Sequence, residues 1–315
     1  MVTAKPKVLV FGSNIHPVGI TMLKEAAVLE FAKADDPKQI IMAKAKGARA
    51  FFVRTGKVSA ELMDAAGPSL EIIARHGMGV DSVDIQAAAE RGIMVTTTGP
   101  ANSQAVAEYT FALLLGLIRN IPKADGIVRS GRWERGLLVG SELAEKTIGL
   151  IGLGQIGSRV ARIARGFSMN ILGYDPYVIE AEGVQLVDLP RLLAESDIVS
   201  LHVPHNENTH HLIDASAISH MKKGAILVNT CRGGVVDQEA LKEALQRGRL
   251  AGAALDTFAV EPVPPDEDLV RLDNVIASPH VGAQTEEALY RMSKYAAEAI
   301  IDKLEGRTPR FVYQP

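Results

Sequence analysis

The chain has one cysteine and one tryptophan in 315 residues, and only 5% of it is aromatic. A lone cysteine excludes an internal disulfide framework and fits a reducing compartment. Neither sign of charge dominates, since 34 basic and 37 acidic residues leave a net charge of −3. Such a balance offers no broad pull towards nucleic acid or an anionic membrane. Long apolar runs are also missing. The uncharged run 109–118 is too short to span a bilayer, and the apolar run 8–12 is too brief for a signal-peptide core. What remains is a soluble profile, 47% hydrophobic and 23% charged, expected in the cytoplasm. Its length suggests about two domains at roughly 150 residues each.

Short aliphatic runs recur at 7–11, 27–32, 48–54, 70–74 and 93–98, with helix-like segments between them such as 59–66, where Ser59 is a plausible N-cap, and 85–91, closed by Gly92. Near-continuous apolar strands separated by helices predict a parallel sheet covered on both faces. Gly99-Pro100 interrupts the alternation. A helix then spans about 103–119, apolar on most sides, and is expected to be buried between domains or in a subunit interface. After Arg119 the chain reads as polar and irregular up to the restart of strand–helix alternation at Thr147, which runs to about His280. The last helical pattern covers 285–304.

The strand from Thr147 runs into Gly152-Leu-Gly-Gln-Ile-Gly157, a helical pattern follows, and a second strand at 170–174 ends in Asp175. Gly152 permits a tight turn, Gly154 lets the backbone approach a pyrophosphate, and Gly157 allows close helix–strand packing. The helix N-terminus supplies unpaired N–H groups to phosphate. Asp175 can accept bonds from ribose hydroxyls and would repel a 2′-phosphate, which favours NAD. The glycine spacing alone is weak; the strand, helix, second strand and terminal acid around it make the signal specific.

Three later strand-like runs end in Arg232-Gly-Gly, in Asp256-Thr-Phe-Ala-Val-Glu261 and in His280-Val-Gly. Ligands of doubly wound sheets bind outside the carboxyl ends of the strands. Strand ends, not local spacing, would therefore gather these groups beside the glycine turn. Reduction of a 2-oxo acid needs a proton for the forming alkoxide, which suits His280, with Glu261 to fix its tautomer. A planar, permanent cation for the substrate carboxylate and carbonyl suits Arg232.

These segments, with 229–237, 255–262 and 278–283, resemble the D-isomer-specific 2-hydroxyacid dehydrogenase family, and 75–84 is similar to that family's substrate loop. The segments 131–135 and 173–176 are closest to its phosphoglycerate dehydrogenase branch. The resemblance implies an α/β fold of two doubly wound parallel-sheet domains. One is a Rossmann NAD-binding domain at about 100–284. The other is a smaller, discontinuous, flavodoxin-like substrate domain at 1–99 and 285–315 that clasps it. It implies NAD-dependent, reversible reduction of a 2-oxo acid, with His280 as acid/base, Glu261 as its partner and Arg232 as substrate clamp. Gln155 and Ile156 would sit against the pyrophosphate, and Asp256 would meet the nicotinamide carboxamide. Val203, Thr230, Cys231 and Gly282 would line the cofactor cleft. Met78 and Gly79 would offer N–H groups to the substrate carboxylate.

Arg54 ends a strand and matches an arginine that contacts phosphate in phosphoglycerate dehydrogenases. With Arg75 and His76 it favours a small anionic substrate such as 3-phosphoglycerate, with hydroxypyruvate or glyoxylate close behind. Members are usually homodimers through the cofactor domain, which would explain the apolar 103–119 helix. Ser82 replaces a common asparagine, a change expected to matter little. The end at Pro315 leaves no room for an appended regulatory domain, so serine feedback is not expected. Five histidines fall between His202 and His220, but His210 and His211, read as strand neighbours, would face opposite ways, and no metal site is expected. Cys231 reads as a small buried filler rather than a reactive thiol. A different class, an NAD-sensing corepressor-type binding protein, would need a peptide groove or disordered tail that the sequence does not offer. A nucleotide-binding methyltransferase is disfavoured by the Arg, Glu and His set.

Overall fold

Strands and helices alternate along nearly all of the chain in the computed structural model, which describes residues 5–136 and 138–314. Positions 1–4 and 315, the outer ends of the expected substrate domain, lie outside the described residues. The order begins β1 (Lys7–Phe11), α1 (Pro17–Ala26), β2 (Val28–Ala32), α2 (Lys38–Ala45), β3 (Ala50–Val53), α3 (Ala60–Ala66), β4 (Ile72–Arg75), α4 (Ile85–Glu90) and β5 (Met94–Thr96). It continues α5 (Ser103–Ile118), α6 (Ile121–Arg129), β6 (Thr147–Ile151), α7 (Gly157–Gly166), β7 (Asn170–Tyr174), β8 (Gln185–Leu186), α8 (Leu189–Glu195) and β9 (Ile198–Leu201). It closes α9 (Ala215–His220), β10 (Ile226–Asn229), α10 (Gln238–Gln246), β11 (Gly252–Leu255), β12 (Val275–Ala277) and α11 (Glu286–Leu304). The described residues fall into two compact units, one reaching Asn102 and resuming at Gln284, the other Ser103–Ala283.

In the first unit the five strands pair in parallel in the order β2-β1-β3-β4-β5, the flavodoxin-like arrangement. Alternate residues serve opposite faces, as the pleat requires. Val8 and Val10 pack with Leu23 of α1 and with Ala296 and Ile300 of α11. Leu9 and Phe11 pack with Leu62 and Met63 of α3 and with Ala87 of α4. Ser59 is the N-cap expected of it, its Oγ accepting from Leu62 N at 3.3 Å; the structure adds Thr285, whose Oγ1 accepts from Ala288 N at 3.1 Å.

The second unit orders its seven parallel strands β12-β11-β10-β9-β6-β7-β8. This is the dinucleotide-binding order extended by one strand, with the switch point between β6 and β9. β9 and β11 are buried along their whole length, so both faces are covered, α5 and α7 on one and α8, α9 and α10 on the other.

Three expectations are corrected here. The apolar helix α5 is buried in the core of its own unit, where Phe111, Leu114 and Ile118 meet Ile148 and Leu150; its character needs no domain or subunit interface. The stretch after Arg119 is not irregular throughout, because α6 occupies it. Pro122 suits the first turn, and Asp125 and Arg129 pair across one turn at 2.7 Å. None of its residues is buried, so core periodicity could not announce it. His210 and His211 lie in a turn rather than a strand, and their rings stack at 4.0 Å instead of facing apart.

Candidate functional site

The carboxyl ends of the second unit's strands carry the chemistry. After β6, Gly152 has φ +94°, a region L side chains rarely adopt. Its N–H bonds Tyr174 O at 2.9 Å, tying the turn to the end of β7. A Cβ on Gly157 would stand 2.0 Å from Gly152 O, so only glycine lets α7 start so close to the strand. Around Gly154 nothing lies within 4 Å of the position a Cβ would take. The first turn of α7 has no side-chain cap at Ile156. Open backbone and an uncapped helix start, at Gln155 and Ile156, fit the pyrophosphate of a dinucleotide.

Asp175 accepts from Leu153 N and Tyr177 N, each at 2.9 Å. A carboxylate has about four acceptor sites, so two remain that could accept from hydroxyl groups of a ligand. Val203, after β9, lies against the same turn, its Cγ1 3.0 Å from the position of a Gly152 Cβ.

After β10, Asn229 organises the turn. Its Oδ1 accepts from Cys231 N at 3.0 Å and its Nδ2 donates to Arg232 O at 2.9 Å. Thr230 is buried, its Oγ1 3.0 Å from that of Thr110. Burial pushes the Cys231 thiol up to about 11, and its Sγ donates to Asn229 Oδ1 at 3.1 Å, so it is an inert filler. Arg232 Nη1 donates to Cys231 O at 2.6 Å.

After β11, the buried Asp256 carboxylate gathers the turn that follows β12. It accepts from Ser278 Oγ at 2.7 Å and from Val281 N and Gly282 N at 2.8 Å each. His280 sits within that turn at φ +53°, a left-handed conformation held by its N–H bond to Asp256 O at 2.9 Å. Its Nδ1 is 2.8 Å from Glu261 Oε2, while Glu261 Oε1 accepts from Phe258 N at 3.0 Å. Burial would raise the Glu261 carboxyl, but the His280 bond, the Phe258 N–H and the charges of His280 and Arg232 hold it below its ordinary value. An imidazole, a carboxylate and a guanidinium thus share one electrostatic neighbourhood.

The first unit has its own set at the sheet edge. Arg54 Nη1 lies 3.2 Å from His76 Nδ1. Arg75 is turned to the backbone, its Nε donating to Gly79 O at 2.9 Å and its Nη1 to Val53 O and Arg54 O at 3.0 and 2.8 Å. Met78 is exposed between Gly77 and Gly79.

Four polar residues that shape these turns were not singled out from the sequence as site residues. They are Asn229, Ser278, Thr110 and His202, whose Nε2 lies 2.9 Å from Ser200 Oγ. The available signal was a polar residue in or at the end of an otherwise apolar strand or helix. Among the described residues no group of three or more His, Cys, Asp or Glu side chains could hold a metal ion.

Residues 111–282 match the family model described as D-isomer specific 2-hydroxyacid dehydrogenase, NAD binding domain. A D-3-phosphoglycerate dehydrogenase of Methanocaldococcus jannaschii is 44% identical over 93% of this chain, which spans only 56% of that protein. A glyoxylate reductase of Korarchaeum cryptofilum is 40% identical over 97% of this chain and 95% of its own. The crystal structure of the TT0316 protein of Thermus thermophilus superposes with a TM-score of 0.91 at 36% identity, covering 98% of this chain and all of that one. The chain belongs to the D-isomer specific 2-hydroxyacid dehydrogenase family, and the cofactor of its second unit is NAD.

Proposed function

We propose that this chain is an NAD-dependent D-2-hydroxyacid dehydrogenase that reversibly reduces a small anionic 2-oxo acid. The carrying observation is the His280–Glu261 pair at 2.8 Å, beside the Arg232 charge and on the sheet edge that holds the glycine turn. NAD, when bound, supplies the hydride chemistry. Because Nδ1 of His280 is committed to Glu261, the proton passes between its Nε2 and the substrate oxygen. Glu261 fixes the tautomer and faces the ring with a negative charge. Arg232 clamps the carboxylate and polarises the carbonyl. Asp256 holds the His280 turn in place and offers its remaining acceptor capacity to the carboxamide. Thr230, Cys231, Val203 and Gly282 line the cofactor cleft.

The first unit is the substrate-binding domain in this reading. Met78 and Gly79 offer backbone N–H groups to the carboxylate, and Arg54 takes an anionic tail. Arg75 serves by bracing the 75–79 loop, its Nε and Nη1 donating to the carbonyl oxygens of Gly79, Val53 and Arg54. A phosphate tail, as in 3-phosphoglycerate, suits Arg54. A plain glyoxylate or hydroxypyruvate reductase is the second reading, favoured by a similar glyoxylate reductase that the chain covers almost completely.

The exposed Ile121, Val128, Trp133 and Val139 of the second unit support a homodimer through that unit. A cytoplasmic setting without nucleic acid or membrane partners fits the lone buried thiol and the small net charge. No helix among the described residues is long and apolar enough to cross a membrane. The test is a panel of 2-oxo acids, phosphorylated and plain, followed at the nicotinamide absorbance with NADH. Turnover of none of them would overturn the proposal.

A further inference from the structure

Arg54 and His76 leave neighbouring strand ends, since Val53 of β3 pairs with Arg75 of β4. Both therefore emerge at the carboxyl edge of the first unit's sheet, where ligands of such sheets bind. An arginine can only donate, so His76 Nδ1 must accept from Arg54 Nη1, which leaves the ring neutral with its proton on Nε2. That Nε2 is buried and has no hydrogen-bond partner, although His76 is only 5% exposed. A buried imidazole with one nitrogen unused is costly, and an apolar residue would avoid the cost. Burial first, then the charge of Arg54, pushes the ring down to about 3, so it stays an acceptor at neutral pH.

Two other arginines of this unit are balanced by carboxylates. Arg49 bonds Glu71 at 2.6 Å and Arg91 bonds Asp64 at 2.7 Å. Arg54 forms no ion pair with a carboxylate among the described residues. Its guanidinium is half-buried and its own pKa is lowered by that burial. A carboxylate partner would orient it and cancel its charge. A neutral imidazole orients it and leaves the charge whole.

We propose that His76 is a positioning residue that sets tail specificity, holding Arg54 as an uncompensated cation for a doubly charged phosphate monoester on the substrate. This rests on Arg54 receiving the substrate tail, as proposed above. A phosphate monoester carries nearly two charges near pH 7 and three strong acceptor oxygens. It gains more from an uncancelled guanidinium than a hydroxyl or hydrogen tail can.

The experiment compares KM and kcat for phosphohydroxypyruvate and hydroxypyruvate across four variants. Arg54→Gln is expected to raise KM for the phosphorylated acid by about 100-fold and so to lower the preference for the phosphorylated over the plain acid. His76→Leu should raise it by about tenfold with kcat kept, and His76→Asn, whose amide oxygen can still accept, should restore it. His76→Glu offers a separate arm that survives any misfolding of the leucine variant. It orients Arg54 but neutralises it, so phosphate selectivity should fall while the melting temperature holds.

If wild type ignores the phosphate, or Arg54→Gln leaves selectivity intact, the tail reading itself fails. If Arg54→Gln abolishes selectivity but His76→Leu and His76→Glu do not, that reading stands and the inference about His76 is overturned. Equal losses on both acids, or no rescue by asparagine, would also overturn it by making His76 merely structural.

Discussion

Replacing Glu261 by glutamine keeps the shape beside His280 and removes the charge. In the structure one carboxylate oxygen faces His280 Nδ1 at 2.8 Å and the other faces Phe258 N at 3.0 Å. An amide has a single acceptor oxygen and can satisfy only one of these donors. A hydrogen bond to a charged group contributes about 1.5–3 kcal/mol and a neutral one about 0.5–1.5 kcal/mol. The side chains of His280 and Glu261 are 47% and 37% exposed, so solvent screening argues for a small difference, about 1.4 kcal/mol or tenfold.

The sign follows from which form the carboxylate favours. The bond to His280 and its charge help hold the Glu261 carboxyl below its ordinary value, so by linkage the pair favours the state in which both partners are charged. In Glu261→Gln the alkaline fall of the reduction rate should move down by about one pH unit. The acid limb of the oxidation rate should move the same way, because one group serves both directions. Initial rates over about pH 5–9, read at the nicotinamide absorbance, measure both limbs. Limbs that stay in place, or move upward, would refute the assignment of the pair.

His280→Ala should lower kcat by about 10²–10⁴ with NADH affinity nearly unchanged, since a general acid is lost and no cofactor contact; turnover like wild type would remove it from the proton path. Asp175→Ala should narrow the preference for NAD over NADP, and an unchanged ratio of kcat/KM values would place ribose recognition elsewhere. Buried His76 and His202, each pushed to about 3 by burial, should make the protein acid-sensitive. Both bind protons more readily when unfolded, so their stability contribution is intact above about pH 6.5 and falls as pH drops towards 3. The expected loss is about 2 kcal/mol per histidine at pH 5. Urea unfolding at about pH 7 and 5 measures it, and His202→Gln should flatten the dependence.

The sequence disclosed what repeats along the chain. Apolar runs between helices located β1, β6 and β7 almost to the residue, because strands covered on both faces must be continuously apolar. Ser59 marked a helix start through its own side chain. The glycine turn was legible because strand, turn and helix are adjacent in sequence. Sequence did not disclose α6, whose lack of any buried residue leaves no periodic signal, nor the packing of α5, since apolar character says that a helix is covered but not by what. It also could not show that Arg75 donates to three carbonyl oxygens, or that Asn229 and Asp256 tie turns together. Those are contacts between distant segments, created only when neighbouring strands come into register.

That register has a further consequence for how the chain can change. Asn229, Leu255 and Ala277 stand level on adjacent strands, and the guanidinium, the buried carboxylate and the imidazole each follow by a fixed short count. An extra residue in the connection 246–251 can be absorbed at the far end of the sheet, away from the reaction. One extra residue between 277 and 280 would displace the imidazole by about 3.3 Å, a whole strand step. Length variation should therefore be permitted at one rim of this sheet and forbidden at the other.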